Sequence, residues 1–580
     1  MLHAPRHFAL AALVPGLALG VACSAGNSTG GFGGGDGTST GSKPSGSTGS
    51  FVTSTGANTT STAAGGDQDP TTCAEAMTSH SYVGCDFWPT VNANNVWSIF
   101  DYAIVVANAG DEMVTATVTQ GASGSQVAMA TIAPNSLGTL YLPWVASLKG
   151  PDTDQCGDAT PLPGSVTAPG GAYHLTTSAP VTVYQFNALE YQGHGGPAGK
   201  SWAGCPGDTM CCNAACQAGQ QAPYKVGCYS FSNDASLLLP STAMTGNYRI
   251  IGHEGWIYPR NQLNPGGPTP VLGPDFTVTG TVDGTNVTIL LSATGTVLAG
   301  GSIASTAGGG TLTFPLDAGD VVEIAGDPSS DFSGSLVQAD QPVQVITGMP
   351  CVNIPAADSA CDHIEESVLP AETLGQHYFV SRVAAPNLNE PPQPVWVKIY
   401  GNVDGTNLTY PAGVTPPSAP TTISAGQVVD LGEVAVDFEI QGDHEFAIAT
   451  FTLAASDVDP HTRAPKQKGD PAQSIAIAVE QYRDKYIFLA PTDYPVNFVD
   501  VIEPMNAVVT LDGSGAPTPT QIGSSGYGIN HLVLGDVAGG AHVLTSNVAV
   551  GIQVVGYGSY TSYAYPGGLN LKQIAPPPPH

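Results

Sequence analysis

Short runs of alternating apolar and polar residues recur along most of the chain. Phe276, Val278, Gly280 and Val282 alternate with Thr277, Thr279 and Thr281, the period of a strand buried on one face. The run ends at Asp283-Gly284, and a second apolar run follows in "TNVTI". Asp-Gly between two such runs predicts a tight hairpin whose turn residues both take positive φ. The same turn returns in "NVDGTNLTY" at Asp404 and "TLDGSG" at Asp512. Helical periods are scarce, and "AVEQYRDKY" near Val479 predicts one or two helical turns at most.

These turns sit inside a larger repeat. "ASLLLPSTAMTGNYRIIG" from Ala235, "ESVLPAETLGQHYFVSR" from Glu366 and "QSIAIAVEQYRDKYIFLAPT" from Gln473 share a Ser placed 11 or 12 residues before a Tyr. The pairs are Ser236 and Tyr248, Ser367 and Tyr378, and Ser474 and Tyr486. After each Asp-Gly turn comes a strand ending in Ala-Gly: Ala318-Gly319, Ala425-Gly426 and Ala538-Gly539. Each copy closes on a β-rich run, "QPVQVITG", "HEFAIATFTL" or "VAVGIQVVGYG". A more divergent copy precedes them, from Phe100 to "APVTVYQFNAL" at Ala179. A period of roughly 100 residues means repeated modules and not a short solenoid. The predicted class is all-β, with tandem β-sandwich-like repeat units in one chain; a β-propeller-like arrangement of the repeats is the alternative.

The ends read differently. Residues 1–22 carry Arg6 and then an apolar run from Phe8 to Ala22, too short to span a bilayer, which reads as a signal peptide. Small residues lead to Cys23, which resembles the acylated Cys of a bacterial lipoprotein, although Gly20 stands where Leu is usual and plain secretion is the alternative. Residues 23–72 are a Gly/Ser/Thr-rich tether with an expected reach on the order of 40 Å. The body divides into a first β unit (73–194), a Cys-rich insertion (195–228), and second, third and fourth β units (229–355, 356–465 and 466–570), before a Pro-rich tail (571–580).

Charge narrows the partners. Lys plus Arg is 15 and Asp plus Glu is 46, a net charge of −31. So acidic a chain repels phosphate backbones and anionic membrane surfaces, so no nucleic acid is expected, and membrane attachment only through the lipid anchor.

Cys23 apart, ten Cys remain, an even number suited to five disulfides in an oxidising compartment. Cys73 with Cys85 and Cys351 with Cys361 are the local pairs. Cys156, Cys205, Cys211, Cys212, Cys216 and Cys228 allow fifteen pairings. Zinc is the rival reading for the cluster, but it has neither two CxxC pairs nor a His.

With these residues in view, "SYVGCDFWPTVNANN" around Cys85, "NDASLLLP…GNYRIIG" and "ADQPVQVITGMPC" resemble the IgGFc-binding protein N-terminal-domain family over about 73–565. The resemblance implies an exported surface or secreted protein and transfers no site residues.

Catalytic signatures are missing from the sequence: there is no GxSxG, P-loop, HExxH or dinucleotide fingerprint. Asp362, His363, Glu365 and Glu366 read as a solvated turn beside a disulfide loop in preference to a metal site. "DPSSD" at 327–331 offers oxygens to Ca²⁺ but reads first as a plain turn. No cofactor is therefore expected. Trp88, Trp97 and Trp144 read as core residues ahead of a glycan platform. Asn286 and Asn407 sit in glycosylation patterns that would mean nothing in a bacterial lipoprotein.

The resulting function is a surface-displayed, non-catalytic binding or adhesion protein with an extracellular protein or glycan ligand. The alternatives are a structural envelope or matrix component and an unrecognised polysaccharide-acting enzyme. The insertion is the candidate binding loop, with Lys200 and Lys225 as positive charges and Trp202 as an aromatic anchor. The expected location is the bacterial outer-membrane surface.

Overall fold

The computed structural model describes residues 69–578 except 122–123, 212, 224, 258–270, 357–360, 465 and 536–539. The signal peptide, Cys23 and nearly all of the tether therefore lie outside the described residues. Strand outweighs helix by 44% to 6%, and every strand pair is antiparallel.

The strands fall into four successive groups, each with an inner and an outer sheet of the same order. The first inner sheet runs Ser136–Leu142, Tyr102–Asn108, β1 (Tyr173–Phe186), β2 (Ala235–Leu238). The second runs Val321–Ala325, Asp275–Gly280, Val343–Val352, β3 (Asp362–Ser367). The third runs Val428–Val434, Val395–Gly401, Phe446–Phe451, β4 (Gln473–Ile475). The fourth runs Tyr527–Val533, Val496–Pro504, β5 (Ala541–Gly558), β6 (Thr561–Pro566). In each group the innermost strand follows the group's own last strand in sequence. β2, β3 and β4 thus close one group while opening the segment that builds the next.

β2 packs against β3, β3 against β4, β4 against β6, and β6 back against β2. This closed circle makes the inner sheets a propeller-like ring. The sandwich-like groups and the propeller-like arrangement are therefore both present, at different levels of one fold.

One buried side chain ties the circle. Asp234 has no exposed surface. Its Oδ1 accepts N–H bonds from Ala235 (2.9 Å) and Ala564 (3.1 Å), its Oδ2 from Glu365 (3.1 Å) and Gln473 (2.9 Å). Those donors lie on β2, β6, β3 and β4, so a single carboxyl group holds all four central strands. Asp362 makes a second tie, accepting from the Asn233 and Ser562 amides and the Thr561 hydroxyl.

The sequence repeats have local reasons. The Tyr248, Tyr378 and Tyr486 hydroxyls each accept the N–H three residues upstream and donate to a distant carbonyl, of Val343, Phe446 or Val550. Val343 and Phe446 begin the third strand of their inner sheets, and Val550 lies where β5 leaves the outer sheet for the inner one. The Tyr therefore pins the crossing between sheets. The Asp-Gly and Ala-Gly motifs meet each other: Asp283 accepts from the Ala318 amide and Asp404 from the Ala425 amide, each at 3.0 Å. Ala538-Gly539 lies outside the described residues, and Asp512 instead binds the Val543 amide.

Two expectations are corrected, and a third is met at its lower bound. In the first two Asp-Gly turns only the glycine has positive φ (Gly284 +75°, Gly405 +74°); Asp512 alone of the three aspartates joins its glycine there. The side-chain bond to the neighbouring turn holds Asp283 and Asp404 in place. The "AVEQYRDKY" segment forms a single 3₁₀ turn, Val479–Gln481, and then the strand Arg483–Leu489, because Tyr486 is needed at the sheet crossing. Asp362, His363, Glu365 and Glu366 are no solvated turn: all four lie in β3 with no exposed surface.

Replacing Asp234 tests the central tie. Asp234→Ala leaves four buried N–H groups unmet and should cost on the order of 4 kcal/mol or more. Asp234→Asn should be nearly as harmful despite its shape, since its NH₂ would face two donors. Urea unfolding of both variants checks this, and an Asn variant with wild-type stability would contradict it.

Candidate functional site

The insertion is built from its base upward. Gly196 (φ +85°) passes over two carboxyl groups; a Cβ there would lie 3.2 Å from both Asp101 Oδ2 and Glu190 Oε1. Lys200 reaches back to Asp101 Oδ2 at 2.7 Å and to the Ile99 carbonyl, and its ammonium lies 4.7 Å from the Trp202 ring centre. Trp202 donates to the Gly195 carbonyl at 3.1 Å and leans on Phe100, ring centres 5.1 Å apart. Cys205, Met210 and Val226 are buried with Val96, Trp97 and Phe100 beneath it. Disulfides join Cys205 to Cys228 and Cys211 to Cys216. Cys156 is buried, while Cys212 and Tyr224 lie outside the described residues.

Sequence reasoning offered Lys200, Trp202 and Lys225 together. The structure places the first two at the seat of the loop, engaged with the body, and Lys225 on its exposed stretch with Gln217, Gln220 and Pro223. The loop thus has a locked base and a polar, outward tip.

The interior carries a second unusual arrangement, between the first and second groups. Glu365 Oε2 accepts from Gln185 Nε2 at 3.2 Å and Asn187 Nδ2 at 3.4 Å. His363 gives its Nδ1 proton to the Met349 carbonyl at 3.0 Å, and its Nε2 accepts from Asn187 at 3.3 Å. That pattern is a neutral imidazole, and burial pushes its pKa down to about 3. Burial pushes Glu365 up to about 8, against the amide bonds from Gln185 and others. Burial raises Asp275, Glu323 and Glu366, and the neighbouring carboxyls of Glu365, Asp275 and Asp234, respectively, raise them further. At the loop base, burial and then Asp101 raise Glu190 to about 8. Glu365 and Glu190 thus hold their protons at neutral pH. Among the described residues no group of three or more His, Cys, Asp and Glu is arranged to hold a metal ion. In "DPSSD", Asp327 and Asp331 accept N–H bonds from Ser329 and Ser333.

One cluster escaped sequence reasoning. Asp86 lies between His174 Nε2, at 2.6 Å, and the Ser241 hydroxyl, with Trp88 stacked on His174 at 4.1 Å. The three are 155 residues apart at the widest, so spacing gave no signal. Asp86 occupies the middle, so the Ser meets the carboxylate and not the imidazole, and the order of a nucleophilic relay is not met. Trp88 and Trp97 are buried, and Trp144 donates to the Phe100 carbonyl at 2.7 Å. Asn286 and Asn407 donate to Asp340 and Asp443, so these side chains serve the outer sheets.

Disulfides also join Cys73 to Cys85 and Cys351 to Cys361. Among the described residues no helix is long and apolar enough to cross a membrane. The family model described as "IgGFc binding protein" matches residues 234–556, more than half of the chain. The human protein named IgGFc-binding protein is 31% identical over 143 residues. That stretch is 23% of this chain and 2% of the human protein, so the chain spans a small fraction of that relative's length.

The raised carboxyls set a pH dependence. Glu365 and Glu190 keep protons in the folded chain that the unfolded chain releases near pH 4.5. Stability should therefore fall as pH climbs from about 4.5 to about 8, by roughly 1 kcal/mol per pH unit and group, and level off above. Thermal melts across this range check the sign. Glu365→Gln should flatten the slope, and an unchanged slope would count against the assignment.

Proposed function

The chain belongs to the IgGFc-binding protein family, and on that premise we propose that it is an exported, non-catalytic binding protein of a bacterial cell surface. In this reading Cys23 is the acylated mature amino terminus, residues 23–72 hold the fold away from the membrane, and the units 73–194, 229–355, 356–465 and 466–570 form the scaffold. The ligand is an extracellular protein, and the insertion 195–228 is where it docks.

The observation that carries this reading is the loop itself. Its base is fixed by Lys200, Trp202 and two disulfides, while Gln217, Gln220 and Lys225 face outward. A pre-organised loop loses little entropy on binding, and Lys225 puts a positive charge on a strongly acidic chain. The human relative's name makes antibody Fc the first ligand to try.

The test uses immobilised Fc and a panel of extracellular proteins against purified chain. Lys225→Glu combined with Gln217→Ala and Gln220→Ala should weaken capture at least tenfold without moving the melting temperature. Full capture by this variant would remove the loop from the reading. Mass spectrometry of the amino-terminal peptide tests the anchor: an unmodified Cys23 would leave secretion in its place.

A further inference from the structure

The segment that enters the fold and the one that leaves it meet at a buried arginine. Arg483 is 6% exposed. Its guanidinium lies 4.9 Å over the Tyr82 ring, Nη1 donates to Asn570 Oδ1 at 2.6 Å, and Nη2 donates to Asp69 Oδ1. Its Nε is buried without a partner. A bridge between Ser81 and Asn570 forms the floor. Above it opens a cleft lined by Thr78, Ser79, His80, Lys572 and Gln573.

Two features set this contact apart from an ordinary ion pair. Nε and Nη2 form one edge of the guanidinium, whose two N–H groups match the two oxygens of a carboxylate. Asp69 engages only Nη2, leaving half of that edge unmet. The partners are also unequally held: the Asp69 side chain is 34% exposed and that of Arg483 only 5%. Tyr82, Asn570 and the bond from the Arg483 amide to the Tyr486 hydroxyl fix the cation without help from Asp69. The anion is the removable member.

We infer that this cleft is a carboxylate-binding subsite and that Asp69 is its built-in competitor. The ligand presents a carboxylate to the Nε/Nη2 edge and hydroxyl or amide groups to Thr78, Ser79 and Gln573. Lys572 adds positive charge at the rim of a chain whose net charge is −31 and whose field elsewhere turns anions away. Two sources share this chemistry: an acidic sugar of the sialic acid class and the terminal carboxylate of a peptide. The site shares no residue with the Cys-rich insertion 195–228. A tethered competitor acts at high effective concentration, so it weakens the apparent affinity for any external carboxylate.

Calorimetric titration of the whole chain tests this with two probes, the methyl glycoside of N-acetylneuraminic acid and an acetylated tripeptide with a free carboxyl terminus. Their methyl ester and amide forms are the controls. Asp69→Asn should bind at least one acid probe roughly tenfold more tightly than the wild type, and the controls should not bind. Which probe binds identifies the source. Arg483→Lys in the Asp69→Asn background should abolish binding, and Lys572→Gln, which leaves the buried cation intact, should weaken it several-fold. The inference is overturned if Asp69→Asn binds neither acid, gains nothing over wild type, binds ester as well as acid, or keeps its affinity when Arg483 or Lys572 is changed. The titration involves no protein partner, so loss of Fc capture and loss of carboxylate binding are separate results.

Discussion

A buried acceptor shared by four strands constrains everything else in this fold. Asp234 can meet the amides of Ala235, Glu365, Gln473 and Ala564 only if β2, β3, β4 and β6 reach the axis together. Burial pushes its carboxyl well up while the four donors pull the other way. Both oxygens are filled as acceptors, which is the geometry of a carboxylate. A charge without a cation is costly in an apolar interior, but four oriented N–H dipoles supply the compensation that water otherwise would. The strands themselves are short, β4 having three residues, and could not pair durably alone.

The strand exchange follows from the same constraint. The first three inner sheets are each closed by the first strand of the following segment, so none of these groups completes its hydrogen bonding until the next has arrived. Tyr248, Tyr378 and Tyr486 then fix where the chain crosses between sheets. Long-range closure of this kind raises the entropy of loop formation and couples the groups into one folding problem. The disulfides act locally against that cost, Cys73–Cys85 beside the first outer sheet and Cys351–Cys361 at the entry to β3.

The repeat and the strand alternation were legible because they are one-dimensional: Asp-Gly, Ala-Gly and the Ser-to-Tyr spacing survive in three copies. Their partnership was not, since a turn aspartate bonding an amide 35 residues away, as Asp283 does to Ala318, leaves no local trace. β3 misled because "DHIEES" carries charge on both faces and so looks solvated. The better clue was alignment: Ser367 falls on Ser236, which sets "EES" level with "DAS" at the start of β2. Of the loop residues, Lys200 and Trp202 attracted notice for chemistry that the fold uses for anchoring, and Asp101, which explains Lys200, lies 99 residues away in sequence.

The distribution of cations completes the picture. Of 15 Lys and Arg, Lys149, Arg249, Lys398 and Arg483 are buried, and Lys200 is seated on Asp101. Lys398 holds Glu254, whose carboxyl stays at about 2 because His253 and Lys398 outweigh its burial. Carboxyl groups are buried in larger number still, Asp234, Asp275, Glu323, Asp362, Glu365 and Glu366 among them, yet the outer surface remains strongly acidic. Such a surface keeps copies of the chain apart and resists anionic partners, most strongly at low salt. Recognition then depends on the few places where the acidic field is interrupted, and a ligand that finds one meets a scaffold already rigid beneath it.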